Sequence, residues 1–170
     1  LHLPENRIAQ MVVHTDALSA VLKNCDAFWP VLGAWLGQHA GNAVALITGL
    51  EGSATEDRMK ALGAAAASTG AVALFHIAGV TPEAKNPAAV LPNAPIPAIN
   101  LTPDMVRAAR ALLSTATGTD IDAVAVGSPH LSVGEFSAIE ALLAGRRFAL
   151  PFYANTGRHV LAVLEREGRL

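Results

Sequence analysis

The densest run of reactive groups in this chain is Gly127-Ser128-Pro129-His130-Leu131-Ser132. It follows an apolar, strand-like stretch and leads directly into a helical pattern. Two hydroxyls, an imidazole and the unpaired backbone N–H groups of a helix amino terminus would then converge within about one turn, a combination suited to a carboxylate or phosphate. Imidazole is the side chain best matched to proton transfer near neutral pH, so His130 is a candidate general acid or base. The competing reading is that Ser128 and Ser132 are helix caps and His130 an ordinary loop residue.

A second candidate lies at His76-Ile77-Ala78-Gly79-Val80-Thr81-Pro82-Glu83. Here a strand-like run ends in glycine, followed by a hydroxyl, a proline and an acid. Thr81 could donate to an anion, and Glu83 could act as a base or orient a partner. The alternative is a turn with a helix cap. His76 falls inside the apolar run, where a lone histidine is more often a hydrogen-bonded core residue than a catalyst. Gly49-Leu50-Glu51-Gly52 ends an earlier strand and could supply backbone to the same kind of crevice.

Other chemistries are unsupported. No G-x-G-x-x-G follows a strand, no Walker lysine is present, and Ser128 is not in a G-x-S-x-G elbow. The histidines show no metal-ligand spacing, and Cys25, the sole cysteine, excludes a disulfide framework and a multi-cysteine cluster within the chain. Trp29 and Trp35 read as packing residues.

The elements that must position these groups alternate. Residues 42–50, 71–80, 121–127 and 148–154 are short, apolar on both parities and bounded by Gly, Pro, Asn or Asp, as in strands covered on both faces. Weaker strand candidates are 8–14 and 97–101. Helical patterns occupy 26–39, 55–69, 102–114, 132–143 and 156–167. Thr55 and Thr102 are expected N-caps, Pro103 stands at a first helical position, and Ser132 with Glu135 has capping-box spacing. The repeated β-α order predicts one α/β domain over residues 1–170, a three-layer fold with a mostly parallel sheet and helices on both faces. Residues 82–103 hold six of the ten prolines and are expected to form an irregular loop within it.

Composition narrows the function classes. Apolar residues make up 52% and charged residues 15%, which argues against disorder and for faces covered by another domain or subunit. A net charge of −2 gives no basic field for nucleic acid. No run approaches the length of a membrane helix, and no signal peptide is visible, so a cytoplasmic setting is expected. The chain opens at Leu1 rather than methionine, which suggests a processed form, a trimmed piece or part of a longer polypeptide.

Residues 57–84, Val124–Ser132 with Glu135, Phe28–Gly33 and the turn Thr48–Leu50 together resemble the aconitase X family. The G-V-T-P-E-A of Gly79–Ala84 and the G-x-P-H-x-S of Gly127–Ser132 are its most specific parts. The resemblance implies an internal portion of a hydro-lyase that dehydrates a small hydroxy acid such as cis-3-hydroxy-L-proline or, in archaeal members, phosphomevalonate. It implies an iron or iron–sulfur centre whose ligands lie outside this chain, and partners in the remaining domains or a small subunit. Some members have Gly-Cys-Pro-His where this chain has Gly127-Ser128-Pro129-His130. That departure disfavours a metal-ligand role there, fits a hydroxyl contacting substrate, and favours the hydroxyproline branch. Carried across, Ser128 and His130 become the catalytic candidates, with His130 moving the proton. Gly79, Thr81, Glu83 and Ser132 become substrate-binding candidates. The alternative from another class is a non-catalytic α/β module that packs against partners or binds a small anion.

Overall fold

The computed structural model describes residues 3–169. Its contacts divide the chain into two compact units, one ending at Thr115 and the other beginning at Ala116, where one domain was expected. Residues 111–123 are exposed throughout and the two sheets share no strand, so nothing in the backbone pairing carries the first unit's core into the second.

The first unit contains β1 (Met11–His14), α1 (Ala20–Lys23), α2 (Phe28–Ala40), β2 (Ala45–Thr48), α3 (Glu56–Thr69), β3 (Phe75–Ile77), β4 (Ala98–Asn100) and α4 (Pro103–Leu112). The sheet runs β3-β2-β1-β4, with every pairing parallel. The expected caps form: Thr55 Oγ1 accepts from the Arg58 N–H and Thr102 Oγ1 from the Met105 N–H, each at 3.3 Å. Helix α2 is apolar nearly all round because it is buried nearly all round, with Trp29, Leu32 and Leu36 fully enclosed. Each such side chain contributes about 1.5–3 kcal/mol on burial. Glycines let α3 approach α2 closely: a Cβ on Gly33 would stand 2.2 Å from the Leu62 carbonyl oxygen.

One sheet face, including Met11, Val13, Ala45, Ile47 and Ile77, packs in a core with residues of α2, α3 and α4. Leu46, on the other face, packs with Ala9, Ala78, Ala84 and Val90. The α/β class and the parallel sheet are as expected, but this second covering layer is not α-helical. It is the proline-rich return, which forms 3-10 turns at Pro82–Ala84 and Pro87–Val90 before β4. Right-handed crossovers explain the division. The chain steps outward from β1 to β2 to β3 across one face, so the connection back past β1 to β4 must cross the other. A stretch with this many prolines cannot sustain a helix there.

The second unit contains β5 (Val124–Leu131), α5 (Val133–Leu143), β6 (Phe152–Thr156) and α6 (Arg158–Arg166). Strands β5 and β6 pair in parallel, with a register shift between Val126 and Leu131. Strand β5 therefore continues beyond Gly127, where the sequence reading ended it, because β6 supplies backbone partners on both sides of the irregularity. Helix α6 starts two residues later than expected, since Thr156 stays in β6 and its hydroxyl donates to the Leu131 carbonyl at 2.6 Å. Arg169 ties the helices: its guanidinium reaches Glu140 and Glu167, each at 2.9 Å, and Ser137 Oγ at 3.0 Å. Hydrogen bonds from those two carboxylates raise the Arg169 pKa above its ordinary value. Among the described residues, the apolar side chains buried in this unit are Leu131, Val160 and Leu164.

Candidate functional site

In the second unit the Gly127–Ser132 motif is the irregular part of β5. Gly127 has φ +102°, and a Cβ there would stand 2.1 Å from the Asn155 carbonyl oxygen. Only glycine permits that approach of β5 to β6. Beyond it the Ser128–Pro129 peptide is cis, and Ser128 and His130 are exposed. The motif is thus presented on strand backbone rather than on a free loop.

Ser132 is half-buried and forms the capping box. Its Oγ accepts from the Glu135 N–H at 3.1 Å, and Glu135 Oε2 accepts from the Ser132 N–H at 2.8 Å. The Glu135 carboxylate consequently occupies the amino end of α5, the place an incoming anion would favour. Beside it, α6 begins at Arg158 after the N-cap Gly157, which has no side chain to cap it, and Arg158 and His159 lie in its first turn. His159, which the sequence reading passed over, folds its ring against Gly157, 2.8 Å from where a Cβ would stand. The signal was present: Thr156-Gly157-Arg158-His159 follows a strand and opens a helix, just as Gly127–Ser132 does.

In the first unit the Gly79–Glu83 segment is a closed turn after β3. Gly79 has φ +72° and is exposed. Thr81 Oγ1 accepts from the Ile77 N–H at 3.1 Å and donates to the Ile77 carbonyl at 3.2 Å. Glu83 is half-buried and paired with Arg7, beside a cavity of about 370 Å³ lined also by Pro4, Ile8, Ala89 and Val90. His76 is fully buried, its Nε2–H donating to the Arg7 carbonyl at 2.7 Å, while Nδ1 has no hydrogen-bond partner among the described residues. These contacts brace the turn against the amino-terminal 3-10 turn Pro4–Arg7 and favour the turn reading for Thr81. Gly79, Thr81 and Glu83 form one cluster in the first unit. Ser128, His130 and Ser132 form another in the second.

The carboxyl ends of β1, β2 and β4 carry polar residues that the sequence reading missed. His14 Nδ1 lies 2.9 Å from Thr48 Oγ1, the buried Thr15 Oγ1 donates to the Thr48 carbonyl at 2.8 Å, and Asn100 is exposed at the end of β4. The available signal was His14-Thr15-Asp16 closing an apolar run, obscured because that run is only four strand residues long.

Among the described residues no group of three or more His, Cys, Asp or Glu could hold a metal ion, and the single cysteine, Cys25, is exposed. The described side chains therefore offer no ligand set for the iron centre implied by the resemblance, which places its ligands outside this chain. No helix among the described residues is long and apolar enough to cross a membrane.

Comparison with known proteins places the chain. The family model "Aconitase X second domain" matches residues 9–111, and "Aconitase X third domain" matches residues 121–170, a division that coincides with the two structural units. A cis-3-hydroxy-L-proline dehydratase of Pseudomonas aeruginosa is 35% identical over 99% of this chain and 29% of its own length. A phosphomevalonate dehydratase large subunit of Methanothermobacter thermautotrophicus is 35% identical over 98% of this chain and 39% of its own. The crystal structure of Thermococcus kodakaraensis aconitase X in its holo form superposes with a TM-score of 0.85 at 31% identity, covering 99% of this chain and 42% of that one. The chain spans less than half the length of these relatives. With both units matched in order and over nearly their whole extent, the chain belongs to the aconitase X family.

Proposed function

We propose that this chain works as two domains of a hydro-lyase that dehydrates a small hydroxy acid of the cis-3-hydroxy-L-proline type. The observation that carries the reading is the exposed Ser128–His130 segment at the carboxyl end of β5, in a chain 35% identical over 99% of its length to a cis-3-hydroxy-L-proline dehydratase. Identity does not separate the hydroxyproline from the phosphomevalonate branch, since it is 35% to a member of each. Ser128 carries the choice: it stands where some members have cysteine, and that departure favours the hydroxyproline branch.

Dehydration breaks a C–H bond and the C–O bond on the adjacent carbon, forms C=C, and releases the hydroxyl with one proton as water. His130 is the group assigned to proton transfer and Ser128 the one that positions the leaving hydroxyl. Ser132 contributes the amino end of α5. In the first unit the Gly79 backbone and the Thr81–Glu83 turn are the substrate-binding candidates. An iron centre, where the enzyme has one, takes its ligands from outside this chain, and no step above is routed through it. Further domains or a small subunit complete the enzyme.

The test is turnover of cis-3-hydroxy-L-proline by the complete enzyme containing this chain. His130→Ala is expected to lower kcat/KM by about 10²–10⁴, the range for a general acid or base, with the melting temperature unchanged. Wild-type inactivity would overturn the enzyme reading. Loss of stability with retained turnover would leave His130 a packing residue and favour the packing or anion-binding module.

A further inference from the structure

The Gly79–Ala84 turn follows β3, the edge strand of the first sheet. Most of its hydrogen bonds are internal. The Gly79 N–H donates to the Ala84 carbonyl at 2.8 Å, and the Val80 and Thr81 N–H groups both donate to the Ile77 carbonyl. These bonds shape the turn without fixing it to a distant element. Its two flanks are secured, since the Ala78 N–H donates to the Ile47 carbonyl at 2.9 Å and Ala84 is fully buried. Between them Glu83 is the one charged side chain, and its carboxylate is held by the Arg7 guanidinium of the amino-terminal 3-10 turn.

Arg7 grips this part of the chain at two points. Its carbonyl accepts from the buried His76 Nε2–H at 2.7 Å, in the middle of β3, while its side chain reaches Glu83 in the turn beyond. The first point is rigid, because His76 pairs in register with Leu46 inside the sheet. The second lies beside the cavity of about 370 Å³ walled by Pro4, Ile8, Ala89 and Val90, so close packing does not back the Glu83 side chain there. The engagement is mutual: Glu83 is the carboxylate Arg7 pairs with among the described residues, and Arg7 Nε is buried without a hydrogen-bond partner. With the two side chains 39% and 31% exposed, the pair adds little to global stability. Its effect is local, on where Glu83 and the neighbouring backbone stand.

We infer that Arg7 is a positioning residue for the Gly79–Ala84 turn, and that Glu83 acts through Arg7 rather than on a ligand. A carboxylate held by a guanidinium keeps its charge and is a poor base, and its attraction for a second cation is already offset. The inference rests on the reading of this turn as substrate-binding and narrows it, leaving the exposed Gly79 backbone as the part of the turn that meets the substrate.

Two measurements test this, and the first needs no substrate. Residue-by-residue amide exchange in the 170-residue chain compares Arg7→Met, Glu83→Gln and the double variant. Each single change should speed exchange at Gly79, Thr81 and Ala84 by about three- to tenfold, the double variant should add nothing further, and the melting temperature should not move. In the complete enzyme containing this chain, all three should raise KM for cis-3-hydroxy-L-proline by one common factor of about three to ten, with kcat within about twofold. Arg7→Lys, which keeps the charge, should recover most of that loss. A purely structural pair would instead lower the melting temperature and the active fraction while sparing KM. Unchanged exchange in both single variants overturns the inference. So does a KM loss in Glu83→Gln that exceeds that of Arg7→Met and adds to it in the double variant, the signature of a carboxylate touching substrate. Faster exchange with KM unmoved overturns the positioning role and leaves the dehydratase reading on His130. Absence of turnover by the wild type overturns the dehydratase reading, and exchange then decides the Arg7 tie by itself.

Discussion

The two units spend their apolar residues differently. The first has a four-stranded sheet with a helical layer on one face and a proline-rich layer on the other, and its largest side chains, from Trp29 to Leu101, are fully enclosed. The second has two strands and two helices, buries Leu131, Val160 and Leu164, and leaves Leu142 77% and Tyr153 61% exposed. Phe148 and Phe152 stack on each other with ring centroids 3.8 Å apart, yet Phe148 remains exposed. A two-stranded sheet with so small a core is marginal by itself. The first unit therefore has the means to hold its own candidate groups in place. The second displays Ser128 and His130 on a scaffold secured chiefly by polar contacts: the Ser132–Glu135 box, the Thr156 bond to Leu131 and the Arg169 clamp.

The strongest test of that contrast separates the units. Residues 1–115 expressed alone are expected to unfold cooperatively in urea, and residues 116–170 alone to show no cooperative transition. A sharp transition in the smaller piece would break the comparison. Next in size, Trp29→Ala should destabilise the first unit by about 3–5 kcal/mol, the cost of emptying an enclosed aromatic site, read as a lowered urea midpoint. Tyr153→Ala in the second unit should change stability by less than about 0.5 kcal/mol, because the ring is already largely in water. The smallest effect that still sharpens the picture is Ser132→Ala. It removes one half of the capping box and should cost about 1 kcal/mol, reported as faster amide exchange confined to the start of α5. Exchange unchanged there would show that the cap does not secure the motif.

Much of the fold was legible because its signals are local. Thr55, Thr102 and the Ser132–Glu135 pair cap the helices as their spacing indicated, and all six strand candidates contain strand residues. The reading of His76 as a hydrogen-bonded core residue also followed from a local pattern, a polar group inside an apolar strand. Thr81 was ambiguous, and the return of its hydroxyl to Ile77 shows only in the fold. The engagement of Glu83 by Arg7 was not legible, because the partners stand 76 positions apart. The same limit hid the pairing of His14 with Asn100, because β4 is a neighbour drawn from the far end of the unit.

By itself, then, the sequence determined the α/β alternation, the caps, the parallel strands and the family, since each is written in residue types a few positions apart. Tertiary structure decided three things: that there are two units, that the second sheet face is closed by proline-rich 3-10 turns, and which polar groups are consumed by internal contacts. The physical reason is shared. Local propensity specifies an element, but whether a face is covered or a polar group finds an internal partner depends on which distant segments the crossovers bring alongside it.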